Sequence, residues 1–340
     1  MFQVYASMDQ RMEPAQVAAH ARRAEALGYD GLNVPEAVHD GLLMAQIALQ
    51  ATTRLRVATS VLVAFPRSPM TVAHAAWDLQ SVSGGRFELG LGSQVRGNIV
   101  ARYGVPWSAP VPRMREYVLA LRAIFESFQN GSPLDFRGQH YQLTRLQPFF
   151  NPGPLDAPPI PIYLGGVGPR MTALAGEIAD GLMTHPSNSS PRYLREVTCP
   201  ELARGAARAA DARPAPRLMV SALTATGETA AEASAAREQQ RELLAFLYST
   251  PAYWRSLELF GWQDRGERLR ELSRQGRWGE MATLISDEML DTFVPTAPYG
   301  GVADLLRERF GELCDWITFP MPEDPARDAA CRKAIDALKT

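Results

Sequence analysis

The chain has 340 residues, 46% of them apolar, enough to bury a large core, and α/β barrels reach this length as one domain. Its 35 basic and 37 acidic residues leave a net charge of -2, which carries no electrostatic footprint for nucleic acid or an anionic membrane. The three cysteines, Cys199, Cys314 and Cys331, are widely spaced, which argues against a disulfide framework or a thiolate metal site and fits a reducing cytoplasm.

Strand candidates occupy residues 3–6, 31–34, 57–63, 87–91, 160–164, 181–184, 218–223 and 316–319. The first begins without a basic region and apolar signal core, and no apolar run is long enough for a transmembrane helix. Helical patterns separate the strands. Residues 14–27 place Val17, Ala21, Ala24 and Leu27 on one face, and Gly28 then ends the helix. Residues 42–51 are similarly apolar. The third strand leads into a helix holding Met70, Ala73, Ala76 and Leu79, then Ser83-Gly84-Gly85-Arg86, then the fourth strand at Phe87. Strand, helix, glycine turn and strand make one βαβ unit, which requires a parallel sheet. Further helices are predicted over 114–128, 171–179 and 302–310. This repeated alternation predicts a (β/α)8 TIM barrel, with a doubly wound open sheet as the alternative.

Two segments break the alternation. Residues 131–161, rich in Pro and Gly, read as a long excursion lying over the barrel. Residues 226–298, between strands seven and eight, read as a helical insertion or lid within a single domain spanning 1–340.

In a parallel barrel the chemistry collects on the loops that follow the strands. Glu36 and His39 follow strand two, and His185 follows strand six. They are the candidate acid–base groups, and each also reads as an ordinary structural or solvated side chain. Strand four closes with Gly90-Leu91-Gly92-Ser93-Gln94-Val95-Arg96. Ser93 and Gln94 suit hydrogen bonds to a polar ring edge and Arg96 suits an anion; a solvated turn would use the same residues. Gly165-Gly166-Val167-Gly168-Pro169-Arg170 follows strand five and opens a helix. Glycines let backbone approach a ligand, and a helix start favours an anion; a tight turn needing positive φ accounts for them equally. No dinucleotide fingerprint or Walker loop is present. The five histidines are scattered without metal-ligand spacing, so no metal is expected, and no Gly-x-Ser-x-Gly nucleophile elbow occurs.

Val57-Ala58-Thr59-Ser60-Val61, Pro66-Arg67-Ser68-Pro69 and the run from Ser83 to Gly92 resemble the bacterial luciferase-like flavin/deazaflavin oxidoreductase superfamily. Ala24-Glu25-Ala26-Leu27-Gly28-Tyr29-Asp30-Gly31 and Ala175-Gly176-Glu177-Ile178-Ala179-Asp180-Gly181 match two further blocks in the right order. Gln94-Val95-Arg96 and Val167-Gly168-Pro169-Arg170-Met171 are most similar to the branch that uses the deazaflavin coenzyme F420.

The resemblance implies a flavin-like ring at the C-terminal mouth of the barrel, with a cis peptide at Ser60-Val61 against its central face. It places the Gly165, Gly166 and Val167 amides at the cofactor phosphate. It places Ser93 and Gln94, beside Gly92, at the polar ring edges, and Glu36 near the ring or its ribityl chain. The implied activity is hydride transfer between coenzyme F420 and a small organic substrate, with His39 or His185 giving or taking a proton. An FMN-dependent luciferase-like monooxygenase is the alternative, and a non-catalytic flavin-binding barrel is a third reading. A cytoplasmic homodimer with no nucleic-acid or membrane partner completes the expectation. One departure stands out. Sugar-phosphate dehydrogenases of this superfamily carry an acid directly followed by histidine after strand two, where Glu36 here is followed by Ala37. They also carry a glutamate just after the strand-four glycines, where Gln94-Val95 stand here.

Overall fold

A computed structural model describes residues 2–210 and 213–340. The barrel strands are β1 (Gln3–Ser7), β2 (Gly31–Val34), β3 in two pieces (Arg56–Thr59 and Leu62–Val63), β4 (Phe87–Gly92), β5 (Ile162–Gly165), β6 (Gly181–Met183), β7 (Arg217–Val220) and β8 (Trp316–Thr318). Each pairs in parallel with its successor, and β8 pairs back onto β1, so the sheet closes into the predicted (β/α)8 TIM barrel. The helices around it are α1 (Pro14–Leu27), α2 (Gly41–Ala51), α3 (Pro69–Ser83), α4 (Pro110–Asn130), α5 (Pro169–Ile178) and α6 (Cys199–Ala206).

Local chemistry sets where these helices begin and end. The Asp40 carboxylate accepts the Leu42 N–H at 2.9 Å and caps α2. Ser68 caps α3, with Pro69 at its first position. Gly28 (φ 91°) and Gly84 (φ 60°) end α1 and α3 in the left-handed conformation that glycine adopts without strain.

Tyr5, Ala58, Tyr163, Met183, Met219 and Trp316 fill the barrel interior, so it is a packed core rather than a pore. Level with Ala58, Glu88, 1% exposed, accepts the Tyr5 hydroxyl at 3.0 Å and pairs with Arg56 at 3.1 Å. At the foot of the barrel one device recurs. Asp30 accepts the N–H of Val4 at 2.8 Å, Asp180 that of Ile162 at 2.7 Å, and Asp315 that of Leu218 at 2.8 Å. Each aspartate precedes an even-numbered strand and ties it to the odd-numbered strand before it. The β3–β4 pair has Arg86 at that place, donating instead to the carbonyls of Leu49, Thr52 and Leu55.

Residues 131–161 do not lie over the barrel. They run down its flank, where Trp77 of α3 donates to the Gly153 carbonyl at 3.1 Å and Gln80 to that of Pro158 at 2.7 Å. A two-rung antiparallel hairpin, Phe136–Arg137 against Gln142–Leu143, begins the segment. These contacts give buried side-chain donors on α3 their partners.

The segment between β7 and β8 is helical, including α7 (Ala230–Tyr248) and α8 (Gln263–Arg274), and it packs its own core from Leu244, Tyr248, Leu257, Leu269 and Phe293. The chain then returns through α9 (Tyr299–Phe310) and ends with α10 (Asp328–Lys339). Among the described residues no helix is long and apolar enough to cross a membrane.

Candidate active site at the barrel mouth

The sequence reads β3 as one strand, but the structure breaks it. Ala58 pairs with Glu88 and Leu62 with Leu91, so four residues of β3 span three of β4. The extra residue makes a bulge. At the break, Ser60-Val61 is a cis peptide bond, and Thr59 bridges the gap by donating its hydroxyl to the Gly90 carbonyl and accepting the Gly90 N–H, both at 2.9 Å.

The bulge turns the Val61 side chain across the neighbouring strand ends. A Cβ on Gly92 would lie 2.4 Å from Val61 Cγ2, and one on Gly165 3.0 Å from Val61 Cγ1. Two glycines on β4 and β5 therefore leave room for one side chain from β3. The backbone torsions at Gly165, Gly166 and Gly168 are not left-handed, so a turn needing positive φ is not their reason. Gly166 is held by packing, since a Cβ there would sit 3.0 Å from Leu182 Cδ1.

Glu36 is committed. Its carboxylate accepts the Val63 N–H at 2.6 Å and pairs with Arg67 at 2.6 Å, and its side chain is 6% exposed. Arg67 also reaches Asp40 at 2.7 Å. Burial alone would lower the Arg67 pKa, but hydrogen bonds and charge from Glu36 and Asp40 outweigh it and raise it. The loop after β2 is thereby tied to the residue following the bulge. His39 lies on the same loop, and its Nε2 is buried with no hydrogen-bond partner among the described residues. Arg102, from the loop after β4, donates to the Ala37 carbonyl and closes this side of the mouth.

Gln94 takes a left-handed backbone conformation at φ 55°, uncommon for a residue with a side chain, and its Oε1 accepts the Val95 N–H at 2.8 Å. Ser93 beside it is half-buried.

Across the mouth, the glycine loop is braced by the segment after β6. Asn188 donates to the Gly166 carbonyl at 3.3 Å and the Tyr193 hydroxyl to that of Val167 at 2.9 Å. Gly168 caps α5 without a side chain, and Pro169 occupies the first helical position. His185 opens the bracing segment. Its Nδ1 lies 2.8 Å from the Ser187 hydroxyl and accepts the Ser187 N–H at 3.3 Å. Its ring stacks on Tyr253 of the helical insertion, with centroids 4.4 Å apart and planes 13° from parallel. Burial lowers its pKa to about 4. Tyr248 of α7 donates to the Ser187 carbonyl at 3.0 Å, so the insertion grips the mouth at two places.

The structure thus brings Val61, Gly92 and Gly165 into one wall, ties Glu36 to Val63 two residues beyond Val61, and joins Gly166 and His185 through Asn188 in a second network with Val167 beside it. His39 lies at the Glu36 end and His185 at the insertion end. Sequence reasoning quoted Arg67 without a role and missed Asn188, Tyr193, Tyr248 and Tyr253. A glutamate and arginine 31 positions apart carry no local signal of pairing. Nor does any sequence pattern place Tyr253 beside a histidine 68 positions earlier. Among the described residues no cluster of His, Cys, Asp or Glu could hold a metal ion.

The model of a family described as luciferase-like monooxygenase matches residues 1–314. An uncharacterized protein of Mycobacterium tuberculosis is 44% identical over 327 residues, covering 95% of this chain and 94% of that protein. An F420-dependent glucose-6-phosphate dehydrogenase of Nakamurella multipartita is 30% identical over 216 residues, covering 60% of this chain and 62% of the relative. Among solved structures, a coenzyme F420 dependent tetrahydromethanopterin reductase from Methanopyrus kandleri superposes with a TM-score of 0.82 at 18% identity, covering 99% of this chain and 98% of that one.

Proposed function

Because the chain belongs to the luciferase-like monooxygenase family, we propose that it is an oxidoreductase that moves a hydride between coenzyme F420 and a small organic substrate. The single observation that carries this reading is the wall made by Val61 over Gly92 and Gly165, lying beside the uncapped start of α5. An apolar wall next to the N-terminal end of a helix suits a planar ring whose tail ends in a phosphate. Support for the deazaflavin over FMN comes from the Gln94-Val95-Arg96 sequence and from the relative named as F420-dependent.

The residues present fit such a group. Gly168 leaves the first turn of α5 open, and a Cβ there would meet nothing within 4 Å. Gly165 and Val167 would hold the phosphate with their backbone, beside Gly166, whose N–H already reaches the Met183 carbonyl at 3.4 Å, with Asn188 and Tyr193 fixing that loop. Ser93 and Gln94 would meet polar ring edges. Once bound, the deazaflavin supplies the hydride chemistry.

The protein's own residues orient the reactants, exclude water and handle a proton. Glu36 is a positioning residue in this reading, since both its oxygens are already engaged. With a pKa of about 4, His185 is protonated in roughly one molecule in a thousand at pH 7. It therefore serves as a neutral hydrogen-bonding group rather than as a proton donor. His39, with an unpaired ring nitrogen, takes the proton-transfer role. The same reading makes the chain one barrel domain with residues 226–298 inserted, acting as a cytoplasmic homodimer, which light scattering on the purified protein checks.

The deciding experiment titrates purified protein with F420 and with FMN by fluorescence and follows oxygen uptake. Micromolar or tighter F420 binding, weaker FMN binding and turnover without oxygen are expected. Tighter FMN binding with oxygen consumption would replace this reading with a monooxygenase. Binding without any turnover of test alcohols, aldehydes or imines would leave a non-catalytic barrel.

A further inference from the structure

Asn33 lies on β2 and shares its face with Gly31, where an added Cβ would sit 2.2 Å from the Tyr5 ring in the barrel interior. The period of a strand therefore turns Asn33 inward as well, one layer nearer the mouth. The residue is 3% exposed, and neither Oδ1 nor Nδ2 has a hydrogen-bond partner among the described residues. Such a side chain is costly, because a buried amide gives up water and receives nothing in return. Leu or Val would fill the place more stably.

Three observations aim this amide at whatever enters the mouth. Ser7, its register partner on β1, is exposed, so the mouth opens down to the level of Asn33. On its other side Asn33 pairs in register with Ala58, two residues before the Ser60-Val61 bulge. His39, six residues further along, has the same deficit at Nε2.

We propose that Asn33 is a ligand-recognition residue whose carboxamide reads an edge presenting a carbonyl and an N–H side by side. The amide nitrogen donates to the ligand carbonyl while the amide oxygen accepts the ligand N–H. Two sources carry that edge: the pyrimidine-dione end of a flavin or deazaflavin ring, and the amide or lactam group of a substrate. The inference rests on the reading of this mouth as a ring-binding site.

The test uses Asn33→Leu, which removes both hydrogen-bonding groups, and Asn33→Asp, which keeps the shape but only accepts. Free proteins are unfolded in urea, and F420, FMN and riboflavin (the ring without phosphate) are titrated by fluorescence. 2-Pyrrolidone, a small lactam, is titrated calorimetrically onto the F420-loaded protein. We expect Asn33→Leu to unfold at the wild-type urea concentration or above it, yet to bind all three rings about tenfold more weakly, the worth of two neutral hydrogen bonds. Asn33→Asp should lose at least as much, since a carboxylate would face the ring carbonyl. Unchanged ring binding with lost 2-pyrrolidone binding assigns the edge to the substrate instead. Variants that bind every probe like wild type overturn the assignment, whatever their stability. Wild-type protein that binds no ring overturns the ring-binding reading and this inference with it.

Discussion

Val61 occupies the space that a side chain at position 92 would need: a Cβ on Gly92 would stand 2.4 Å from Val61 Cγ2. The one-residue bulge in β3 and the glycine at the end of β4 are thus two halves of one feature. Gly92→Ala should destabilise the protein by about 1–3 kcal/mol through overpacking. Val61→Ala placed beside it should recover most of that loss. Urea denaturation of both single variants and the double variant measures the coupling, and strictly additive effects would show that the two residues do not compete for the space.

The buried imidazole of His185 gives stability a pH dependence of known sign. Its pKa falls from the ordinary 6.5 to about 4 in the folded protein. Between those values the unfolded chain takes up a proton that the folded chain refuses. The contribution is full above pH 6.5 and is lost as pH falls toward 4, up to about 3 kcal/mol. His185→Gln should flatten that part of the stability–pH curve, measured by denaturant titration from pH 7 to pH 4. His20, also lowered by burial, keeps its own slope in both proteins.

Removing Arg67 should harm far more than neutralising Glu36. Arg67→Met leaves a carboxylate that is 6% exposed without its cation, at a cost of about 3–5 kcal/mol. Glu36→Gln keeps an acceptor for the Val63 N–H and should weaken coenzyme binding while leaving the shape of the pH–rate profile unchanged. Loss of one limb of that profile in Glu36→Gln would identify Glu36 as a titrating group in turnover.

Gly168→Asp separates stability from binding at the start of α5. An aspartate at an N-cap that now has no side-chain cap should stabilise the helix by about 0.3 kcal/mol, since glycine is already a fair N-cap. The same carboxylate would repel a phosphate at those N–H groups. The melting temperature should therefore rise while F420 and FMN affinities fall and riboflavin affinity holds. Equal losses for all three ligands would mean that the loop does not hold the phosphate.

The scaffold was legible in the sequence because its signals are local. Apolar periodicity located the helices, Gly28 and Gly84 ended them, and alternation gave the barrel. The blocks carrying the family resemblance also owe part of their character to scaffold chemistry: Glu25 accepts the N–H groups of Thr53, Arg54 and Leu55, and Asp30 and Asp180 tie strand pairs. The candidate site was half legible. Ser60, Val61 and the glycines of β4 and β5 stood in recognisable runs, but their meaning is a contact between three strands, which no single run expresses. Glu36 looked like a free acid because Arg67 is its neighbour only in space. The stacking of Tyr253 on His185 depends on how a helical insertion folds back, and nothing near either residue records it.

The aspartate ties at the foot of the barrel bear on how this protein could change. Three of its four quarters are fastened by the same acidic joint, and the quarter that departs from it, with Arg86 in place of the aspartate, is the one that carries the bulge. The bulge and the three acidic joints therefore lie in different quarters of the cylinder. Variation confined to residues 56–63 and 87–94 would reshape what a ligand meets while leaving the three acidic joints untouched. New specificity in this barrel has a natural place to begin, in the quarter whose fastening already differs.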